Sequence, residues 1–357
     1  MRGAMQIEVG LDGTSTLSPA QATTTFCADS DCFTSLVRMR ADANRTIVLA
    51  MTNRGFAPFF HNLRCTMERV DVAKHAIVIG TDEAACEAAA SASIPCVVGK
   101  ALLLGQHHTA LSSSAEKHGT VEYAKLMHVK ARPALAVLKL GYNLLFTDTD
   151  MVWLRNPLHE LRVAYGAQLE HGALDVLIQS DHDESNEIPS CSQHEECARS
   201  AWCERRACEA EVCGGFYYLR ASAPAIAMLE ALFERMAWQR QNVDPRIGEQ
   251  PALNYVLRRS SPPARYLVLP RELYPNGNAY FARRIWPRSS RALPIIIHNN
   301  WLAGAEAKRQ RFIDHGLWFV KETKERSLDH AGHMSRHREA PACIAAALPA
   351  PNRGRMK

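Results

Sequence analysis

Asp148 and Asp150 follow the apolar run Asn143–Thr147, and a single residue separates them. Side chains two residues apart in an extended chain point to the same side, so both carboxylates should project from the carboxyl end of a strand. Ligands of open α/β sheets bind at that edge. Two hard oxygen ligands suit Mg²⁺ or Mn²⁺, and an ion held by few protein groups keeps positions free for phosphate oxygens. The alternative is that Asp-Thr-Asp closes a turn or caps the next helix.

Two further apolar runs also end in polar residues. His298 follows the run at 294–297 and should project from a strand end, where a neutral imidazole is a reasonable ligand for Mn²⁺. A structural hydrogen bond is the alternative for this histidine. Gln179 and Asp181 end another run, and Asp181 could either contact a ligand or close a turn.

Glu249 and Gln250 begin a helical pattern directly after Gly248. Side chains at the start of a helix can point into a cleft. A glutamate in the first turn also favours the helix dipole, so capping is the alternative explanation for Glu249.

The elements that must position these residues are short apolar runs separated by helical patterns. Strands are predicted over residues 46–51, 76–80, 95–99, 143–147, 174–179, 215–219, 265–269 and 294–297. Helices are predicted over residues 121–140, 223–241 and 249–259. The strands are continuously apolar, which indicates burial on both faces. Strands alternating with helices predict an α/β fold with a largely parallel sheet.

Three regions fall outside this pattern. Residues 1–40 are small and polar without a clear period, and we expect a poorly ordered leader. The main folded domain is then predicted over residues 41–320, with a cysteine-rich insertion at 182–212 that interrupts two strands. Residues 321–357 are charged and then Ala/Pro-rich, and they are predicted to be a disordered basic tail.

The composition is that of a folded globular protein. Hydrophobic residues make up 47% and charged residues 22%, which excludes wholesale disorder, collagen and a coiled coil. The net charge of +5 is too mild to indicate nucleic-acid binding, and an anionic small ligand fits it as well. No run of eighteen apolar residues occurs, and the N-terminus lacks the apolar core of a signal peptide, so neither a membrane span nor an export signal is expected.

The chain has eleven cysteines, an odd and large number. Five of them are clustered, at Cys191, Cys197, Cys203, Cys208 and Cys213. The cluster contains no C-x-x-C pair and does not match a common zinc site, so disulfides are favoured over zinc. Disulfides indicate an oxidising compartment, which conflicts with the missing export signal.

Four motifs in order along the chain together resemble one family. LFTDTDMVWLRNP at 145–157 resembles the D-x-D region of nucleotide-diphospho-sugar transferases of the glycosyltransferase family 77 type, which includes plant and algal xylosyl-, arabinosyl- and galactosyltransferases. CGGFYYLR at 213–220 resembles its small-Gly-Phe-Tyr-Tyr strand, EQPALN at 249–254 its acidic-Gln helix start, and HNNW at 298–301 its C-terminal signature. The resemblance covers about residues 46–311, most of the chain.

The resemblance implies a GT-A type α/β fold and a metal-dependent, retaining glycosyltransferase. The enzyme would move xylose, galactose or arabinose from a UDP-sugar to a hydroxyl of a glycan or glycoprotein. Asp148, Asp150 and His298 would hold Mn²⁺ or Mg²⁺ against the diphosphate, where the metal neutralises charge on the leaving group. The family strand often has a cysteine where Cys213 stands, which leaves the other four clustered cysteines as a possible local set of disulfides.

The same resemblance implies roles for residues around the metal. Gly304 would permit close approach of the backbone and Lys308 would neutralise the diphosphate, whereas Arg311 is expected on a solvated helix face. Glu249 and Gln250 would contact the donor sugar and its reacting face. In a front-face mechanism the leaving phosphate takes the acceptor proton and these two residues steady the sugar.

Five further residues are implied at the edge of the site, with a turn or a solvated position as the alternative for each. Thr52 and Asn53 would line the base and ribose pocket, and Asp82 could bind uracil or ribose. Arg132, in the helix before the metal strand, could reach the phosphates. Asp181 could hold the donor sugar or orient acceptor hydroxyls. A double displacement using Glu249 or Asp181 also remains open.

Two other function classes remain open at this point. One is a catalytically silent, carbohydrate-binding relative, and the other is a disulfide-stapled interaction protein on an α/β scaffold. The expected partners are a UDP-sugar and a glycan or glycoprotein, without nucleic acid, and with membrane contact only through an anchor that this sequence does not contain. The resemblance and the cysteines point to the Golgi lumen, while the missing signal leaves the cytoplasm open.

Overall fold

A computed structural model describes residues 26–27, 29–98, 111–181, 211–284, 293–321 and 341–344. The predicted cysteine-rich insertion lies outside this described part of the chain, apart from residues 211 and 212. Any disulfides among Cys191, Cys197, Cys203 and Cys208 therefore also fall outside it.

A central sheet of eight strands runs in the order β1-β4-β3-β2-β5-β8-β7-β9. Its strands are β1 (Phe26–Cys27), β2 (Thr46–Thr52), β3 (Ala76–Gly80), β4 (Cys96–Val97), β5 (Asn143–Thr147), β7 (Val176–Ser180), β8 (Val212–Leu219) and β9 (Tyr266–Val268). Only β8 is antiparallel to its neighbours among these described strands. The predicted α/β fold with a mostly parallel central sheet is confirmed, and every predicted strand is present.

Eight α-helices flank the sheet in the described part of the chain. They are α1 (Ser30–Arg40), α2 (Ala57–Arg69), α3 (Glu83–Ser91), α4 (Val121–Lys139), α5 (Pro157–Glu170), α6 (Ala223–Asn242), α7 (Glu249–Arg259) and α8 (Ala305–Asp314). Thr120 and Ser222 cap α4 and α6, since each side chain accepts a hydrogen bond from the first turn. None of these helices is both long enough and apolar enough to cross a membrane.

The strands are apolar throughout because both faces of the sheet are covered. Ile47 and Leu49 of β2 pack into one core with α1, α4, α6 and α7. Val48 and Ala50, which alternate with them, pack into a second core with α2, α3 and α5. Successive side chains of an extended strand point to opposite faces of the sheet, so one apolar run contributes residues to both cores.

A second, two-stranded sheet places the metal-ligand candidates side by side. It pairs β6 (Met151–Trp153) with β10 (Ile296–His298) in antiparallel register, and His298 lies opposite Met151. The amide of Asn299 donates to the carbonyl of Asp150 at 2.8 Å. His298 therefore arrives beside Asp150 although almost 150 residues separate them in sequence.

The folded domain starts before residue 41, which differs from the expected leader. Residues 26–27 pair with β4, and Phe33, Leu36 and Val37 of α1 are buried. A Cys27–Cys32 disulfide joins β1 to α1. These apolar residues recur at helical spacing, so the small and polar segment before them is what hid the helix.

Part of the expected tail also packs on the domain. Cys343 is bonded to Cys65 of α2 by a disulfide, and Arg64 donates to the carbonyl of Pro341 at 2.7 Å. A third disulfide joins Cys86 to Cys96. The boundary predicted at residue 320 therefore does not separate all of the following residues from the domain.

Candidate active site

A cleft of about 920 Å³ opens at the carboxyl ends of β2, β3 and β5, the edge at which parallel α/β sheets bind ligands. The loops after β7 and β10, the start of β8 and the start of α7 complete its walls. Of the residues predicted for the site, it is lined by Thr52, Asn53, Asp148, Asp150, Asp181, Glu249, Gln250, His298, Gly304 and Lys308.

The two aspartates lie in the turn between β5 and β6. The amide of Asp148 donates to the carbonyl of Gly215 on β8 at 2.7 Å, which fixes the start of the turn. Asp148 is half-exposed in the cleft, whereas the Asp150 side chain is buried. His298 Nε2 is 3.4 Å from Asp150 Oδ1 and 3.9 Å from Asp148 Oδ2. The three side chains can each offer one ligand atom within 4.8 Å of the others.

A buried glutamine on β7 sets the orientation of this histidine. Gln179 Nε2 donates to the carbonyls of Tyr274 and Pro275, so its Oε1 faces His298 Nδ1 at 2.9 Å. Because Oε1 can only accept, Nδ1 carries the proton and Nε2 presents its lone pair to the two carboxylates. Sequence reasoning noted that Gln179 ends a strand but did not find this contact.

These residues fit a divalent cation. Two carboxylate groups and one imidazole lone pair converge on the same point, and such an arrangement is repulsive unless a cation or a proton lies between them. Gly215 leaves the necessary space, because a Cβ there would lie 2.5 Å from His298 Cε1 and 2.7 Å from Asp148 Oδ2. Oxygen and imidazole ligands together suit Mn²⁺ or Mg²⁺.

Lys130 is a central residue of the site that sequence reasoning missed. Its side chain is 2% exposed, and its Nζ lies 2.9 Å from Asp148 Oδ1 and 3.0 Å from Glu249 Oε1. Burial alone would lower the pKa of Lys130, but the two carboxylates raise it well above its ordinary value. Tyr123, Met127 and Lys130 line the cleft at positions i, i+4 and i+7 of α4. This helical spacing is the sequence pattern that could have revealed Lys130.

The structure places Arg132 outside the described cleft lining. Two residues along a helix correspond to about 200° of rotation, so Arg132 points away from the side on which Lys130 lies. Its exposed guanidinium lies over the ring of Phe233 on α6, 5.2 Å from the ring centroid.

Glu249 is buried at the start of α7, in contact with Lys130. Its Oε2 has no hydrogen-bond partner among the described residues. Burial raises the pKa of Glu249 to about 7, with Lys130 opposing the shift and Asp148 adding to it. A Cβ at Gly214 would lie 2.6 Å from Glu249 Oε1, so this glycine gives the carboxylate room.

Gln250 and Asp181 form a polar link across the cleft. Gln250 Nε2 donates to Asp181 Oδ2 at 2.8 Å, and its Oε1 accepts from the amide of Gly214 at 3.2 Å. Asp181 Oδ1 accepts from Asn300 Nδ2 at 2.7 Å and from Trp301 Nε1 at 2.9 Å. Asp181 therefore holds three donors from two separate segments.

Gly304 and Lys308 lie at the start of α8. Gly304 adopts φ +89°, a conformation that glycine accepts without strain. Lys308 Nζ lies 2.6 Å from Asp150 Oδ2. Burial alone would raise the pKa of Asp150, but the ammonium group of Lys308 holds it far below its ordinary value.

Arg311 does not lie on a solvated face as expected. It is half-buried, and its guanidinium donates to Asn299 Oδ1 and to the carbonyl of Asn300, each at 2.6 Å. Burial lowers the pKa of Arg311 to about 10. This arginine braces the segment that follows His298.

The three residues predicted for the base pocket differ in what they can still bind. Thr52 is buried at the end of β2 and lines the cleft. Asn53 also lines it, but its Nδ2 donates to the carbonyls of Ser112 and Ser114, so the amide already holds a loop. Asp82 lies outside the described set of lining residues, and its carboxylate caps α3 through the amide of Ala85 and accepts from the amide of Arg54.

Comparison with known proteins places the chain among sugar-transferring enzymes. A family model for nucleotide-diphospho-sugar transferases matches residues 71–312. UDP-D-xylose:L-fucose alpha-1,3-D-xylosyltransferase 3 of Arabidopsis thaliana is 27% identical over 282 residues, which are 78% of this chain and 68% of that protein. UDP-galactose:fucoside alpha-3-galactosyltransferase of Dictyostelium discoideum is 27% identical over 232 residues, 59% of this chain and 30% of that protein. Beta-arabinofuranosyltransferase RAY1 of Arabidopsis thaliana is 26% identical over 296 residues, 80% of this chain and 49% of that protein.

Similarity to solved structures is weaker. The structure of mouse xyloside xylosyltransferase 1 in its apo form covers 72% of this chain and 98% of its own, with 13% identity and a TM-score of 0.39. A TM-score this low supports no statement about function.

Proposed function

We propose that this chain, a glycosyltransferase that belongs to the nucleotide-diphospho-sugar transferase family, has a GT-A type fold and transfers a sugar from a UDP-sugar to a hydroxyl group of a glycan or glycoprotein. The observation that carries the proposal is the convergence of Asp148, Asp150 and the Nε2 lone pair of His298 at the centre of the cleft. Membership of this enzyme family argues against the two alternatives, a silent carbohydrate-binding protein and an interaction scaffold.

We propose that Asp148, Asp150 and His298 hold Mn²⁺ or Mg²⁺. When bound, the ion supplies Lewis-acid assistance and neutralises the charge of the diphosphate leaving group. Lys130 and Lys308 each face one of the two aspartates, so the protein itself already balances part of their charge. Lys308 lines the cleft beside Asp150 and is the cation that pairs with the donor's phosphates.

We propose that the reaction retains the anomeric configuration by departure and attack on the same face of the sugar. Asp181 already accepts three hydrogen bonds, which leaves it poorly suited to act as a nucleophile. Glu249 and Gln250 lie where they can steady the sugar as positive charge develops on it. A double displacement at Glu249 would need its carboxylate to leave Lys130, and trapping of a covalent glycosyl-enzyme would distinguish that route.

The proposed donors are UDP-xylose, UDP-galactose and UDP-arabinose, the sugars that the relatives' names contain in their transferred groups. Two of those names also give fucose or a fucoside as the acceptor. Thr52 is proposed to lie beside the base and ribose. The three disulfides require an oxidising environment to form, so we propose that the protein works in the Golgi lumen.

The test is a UDP-release assay on the full chain produced in an oxidising host. Each of the three donors is supplied with Mn²⁺, Mg²⁺ or EDTA, with and without methyl α-L-fucoside. We expect one donor to release UDP in the presence of the metal, and EDTA to abolish the release. Release from no donor would overturn the proposed function, and EDTA-insensitive release would overturn the metal.

Proton NMR of the first-formed product tests retention separately. An α-linked product from an α-linked donor is expected, and a β-linked product would overturn the front-face mechanism.

A further inference from the structure

Trp301 is a large aromatic residue held open to the cleft. Its side chain is 49% exposed although it lines the cleft wall. Its backbone adopts φ +56°, a left-handed conformation that is costly for a bulky residue. The indole Nε1 donates to Asp181 Oδ1 at 2.9 Å, which fixes the ring by its edge. The ring face is left for another molecule to contact.

The surrounding structure holds this strained backbone in place. Arg311 donates to Asn299 Oδ1 and to the carbonyl of Asn300. Asn300 Oδ1 accepts from the amide of Gly277 at 2.6 Å, and Asn300 Nδ2 donates to Asp181. Anchors from three separate segments thus fix residues 299–301, and strain that is over-determined in this way is typical of sites that clamp a ligand.

We propose that Trp301 is the platform on which the acceptor sugar stacks, and that Asp181 is its positioning residue. The proposal rests on the proposed function and extends it to the acceptor. An aromatic face attracts the C–H face of a sugar, because burying both surfaces removes apolar area from water. Asp181 also holds Gln250, the neighbour of Glu249, so the platform is connected to the reaction centre by one hydrogen-bonded link.

One cation of the cleft lining is already paired with a carboxylate, so it does not select for a charged acceptor. Arg246 lines the same cleft, but Asp244 engages its guanidinium through both carboxylate oxygens, at 3.0 and 2.6 Å. This cation is therefore balanced before any acceptor arrives. A 6-deoxyhexose such as L-fucose presents a methyl group beside its C–H face, and this increases the apolar area that an indole can cover.

The test separates acceptor binding from donor chemistry. Trp301→Gly keeps the left-handed backbone without strain and removes the ring, while Trp301→Phe keeps an aromatic face and loses the N–H. Trp238→Ala is the matched control, because Trp238 is 46% exposed on α6 outside the described cleft lining. For Trp301→Gly we expect the KM for methyl α-L-fucoside to rise about tenfold. Trp301→Phe should stay within about threefold of the wild type, and Trp238→Ala should match it.

A second measurement on the wild-type protein does not depend on the folding of any variant. In a ¹⁵N-correlation spectrum, methyl α-L-fucoside should shift the indole N–H signal of Trp301, assigned by its loss in Trp301→Phe, and not that of Trp238. An unchanged acceptor KM in Trp301→Gly, or a Trp301 signal that does not move at saturating fucoside, would overturn the platform. Wild-type UDP release that fucoside neither accelerates nor perturbs would also overturn it while leaving the donor reaction standing. Absence of UDP release from every donor would instead be a failure of the proposed function.

Discussion

Two clusters of buried charge lie at opposite ends of strand β7, and their hydrogen bonding differs. At its start, Asp175 is fully buried and faces two guanidinium groups. Its Oδ1 accepts from Arg220 and from Ser222, and its Oδ2 accepts from the backbone amide and Nε of Arg265. These hydrogen bonds outweigh the effect of burial and lower the pKa of Asp175. Both carboxylate oxygens of Asp175 are fully hydrogen-bonded, so this cluster has no acceptor left for a cation or a substrate.

The cluster at the other end of β7, in the cleft, has acceptors left over. Lys130 and Lys308 face three carboxylates, those of Asp148, Asp150 and Glu249. Glu249 Oε2 has no partner in the described structure, and His298 Nε2 faces only carboxylate oxygens there. A buried carboxylate whose oxygens are all paired with donors, as in the Asp175 cluster, stabilises the fold. A cluster with more acceptors than donors, as in the cleft, can bind a cation or a substrate.

Asp150→Asn should have the largest effect, because it removes a metal ligand and leaves the side-chain volume unchanged. We expect Mn²⁺-stimulated UDP release by the folded variant to fall by about 10³-fold. The paired measurements are initial rates and a urea titration. Full Mn²⁺-stimulated activity in this variant would refute the assignment of the cleft cluster as the metal site.

Asp175→Asn should show the opposite pattern in the closed cluster. The substitution leaves two guanidinium groups without their buried counter-charge, so we expect the free energy of unfolding to fall by about 3 kcal/mol. The turnover number of the folded protein should stay within about twofold of the wild type, since this cluster is at the far end of the strand. Urea denaturation and initial rates test both parts, and a loss of activity without a loss of stability would erase the distinction between the clusters.

The sequence predicted the cluster in the cleft, which we call the open cluster, better than the cluster around Asp175, which we call the closed cluster. The reason is physical. Asp148, Asp150 and His298 follow apolar strands, and the alternation of side chains along a strand determines which way their ends point. The apolar runs predicted every strand of the central sheet except β1. Asp175 precedes its strand, and its partners Arg220 and Arg265 come from distant segments, so no local pattern reveals that cluster.

The missed contacts of Lys130, Gln179, Cys65 and Arg311 share a cause, which is contact between elements far apart in sequence. A lysine in an amphipathic helix resembles a surface residue, so Lys130 was missed until two carboxylates were seen to surround it. Gln179 and His298 are 119 residues apart, and the Cys65–Cys343 disulfide joins positions 278 residues apart. Arg311 resembled a solvated residue for the same reason, since its acceptors lie across a loop.

Gln179→Leu tests whether Gln179 orients His298 for metal binding in the open cluster. The variant removes the acceptor for His298 Nδ1–H, so the ring loses its fixed tautomer and orientation. We expect the apparent Kd for Mn²⁺ to rise by about 10–100-fold, measured both by activity and by electron paramagnetic resonance of free Mn²⁺. Gln239→Leu is the matched control, as Gln239 is also buried but lies on α6 outside the described cleft lining. An equal effect of both substitutions would mean general destabilisation and would contradict the positioning role.

Glu249→Gln tests whether the unpaired carboxylate oxygen belongs to the chemistry. If Glu249 only steadies the donor sugar, the turnover number should fall by about tenfold, with a smaller change in the KM for donor. Loss of an essential base would instead slow turnover by about 10²–10⁴-fold. Steady-state kinetics with saturating acceptor separate the two outcomes, and a drop in the larger range would show that Glu249 acts as an essential base.

His128→Gln examines a third environment, a buried imidazole that faces a cation and no carboxylate. Arg240 Nη1 lies 3.5 Å from His128 Nδ1, and burial together with this arginine lowers the pKa of His128 to about 4. The unfolded chain binds the proton at its ordinary pKa near 6.5, so below that pH the unfolded state gains protons that the folded state does not. The free energy of unfolding should therefore fall by about 1 kcal/mol between pH 6.5 and pH 5 through this residue, and His128→Gln should flatten that part of the profile.

His61, whose pKa burial also lowers to about 4, should behave in the same way. Urea titrations at pH 7, 6 and 5 measure the slope, and a difference between wild type and His128→Gln that is the same at all three pH values would show that the imidazole is not held neutral by the fold.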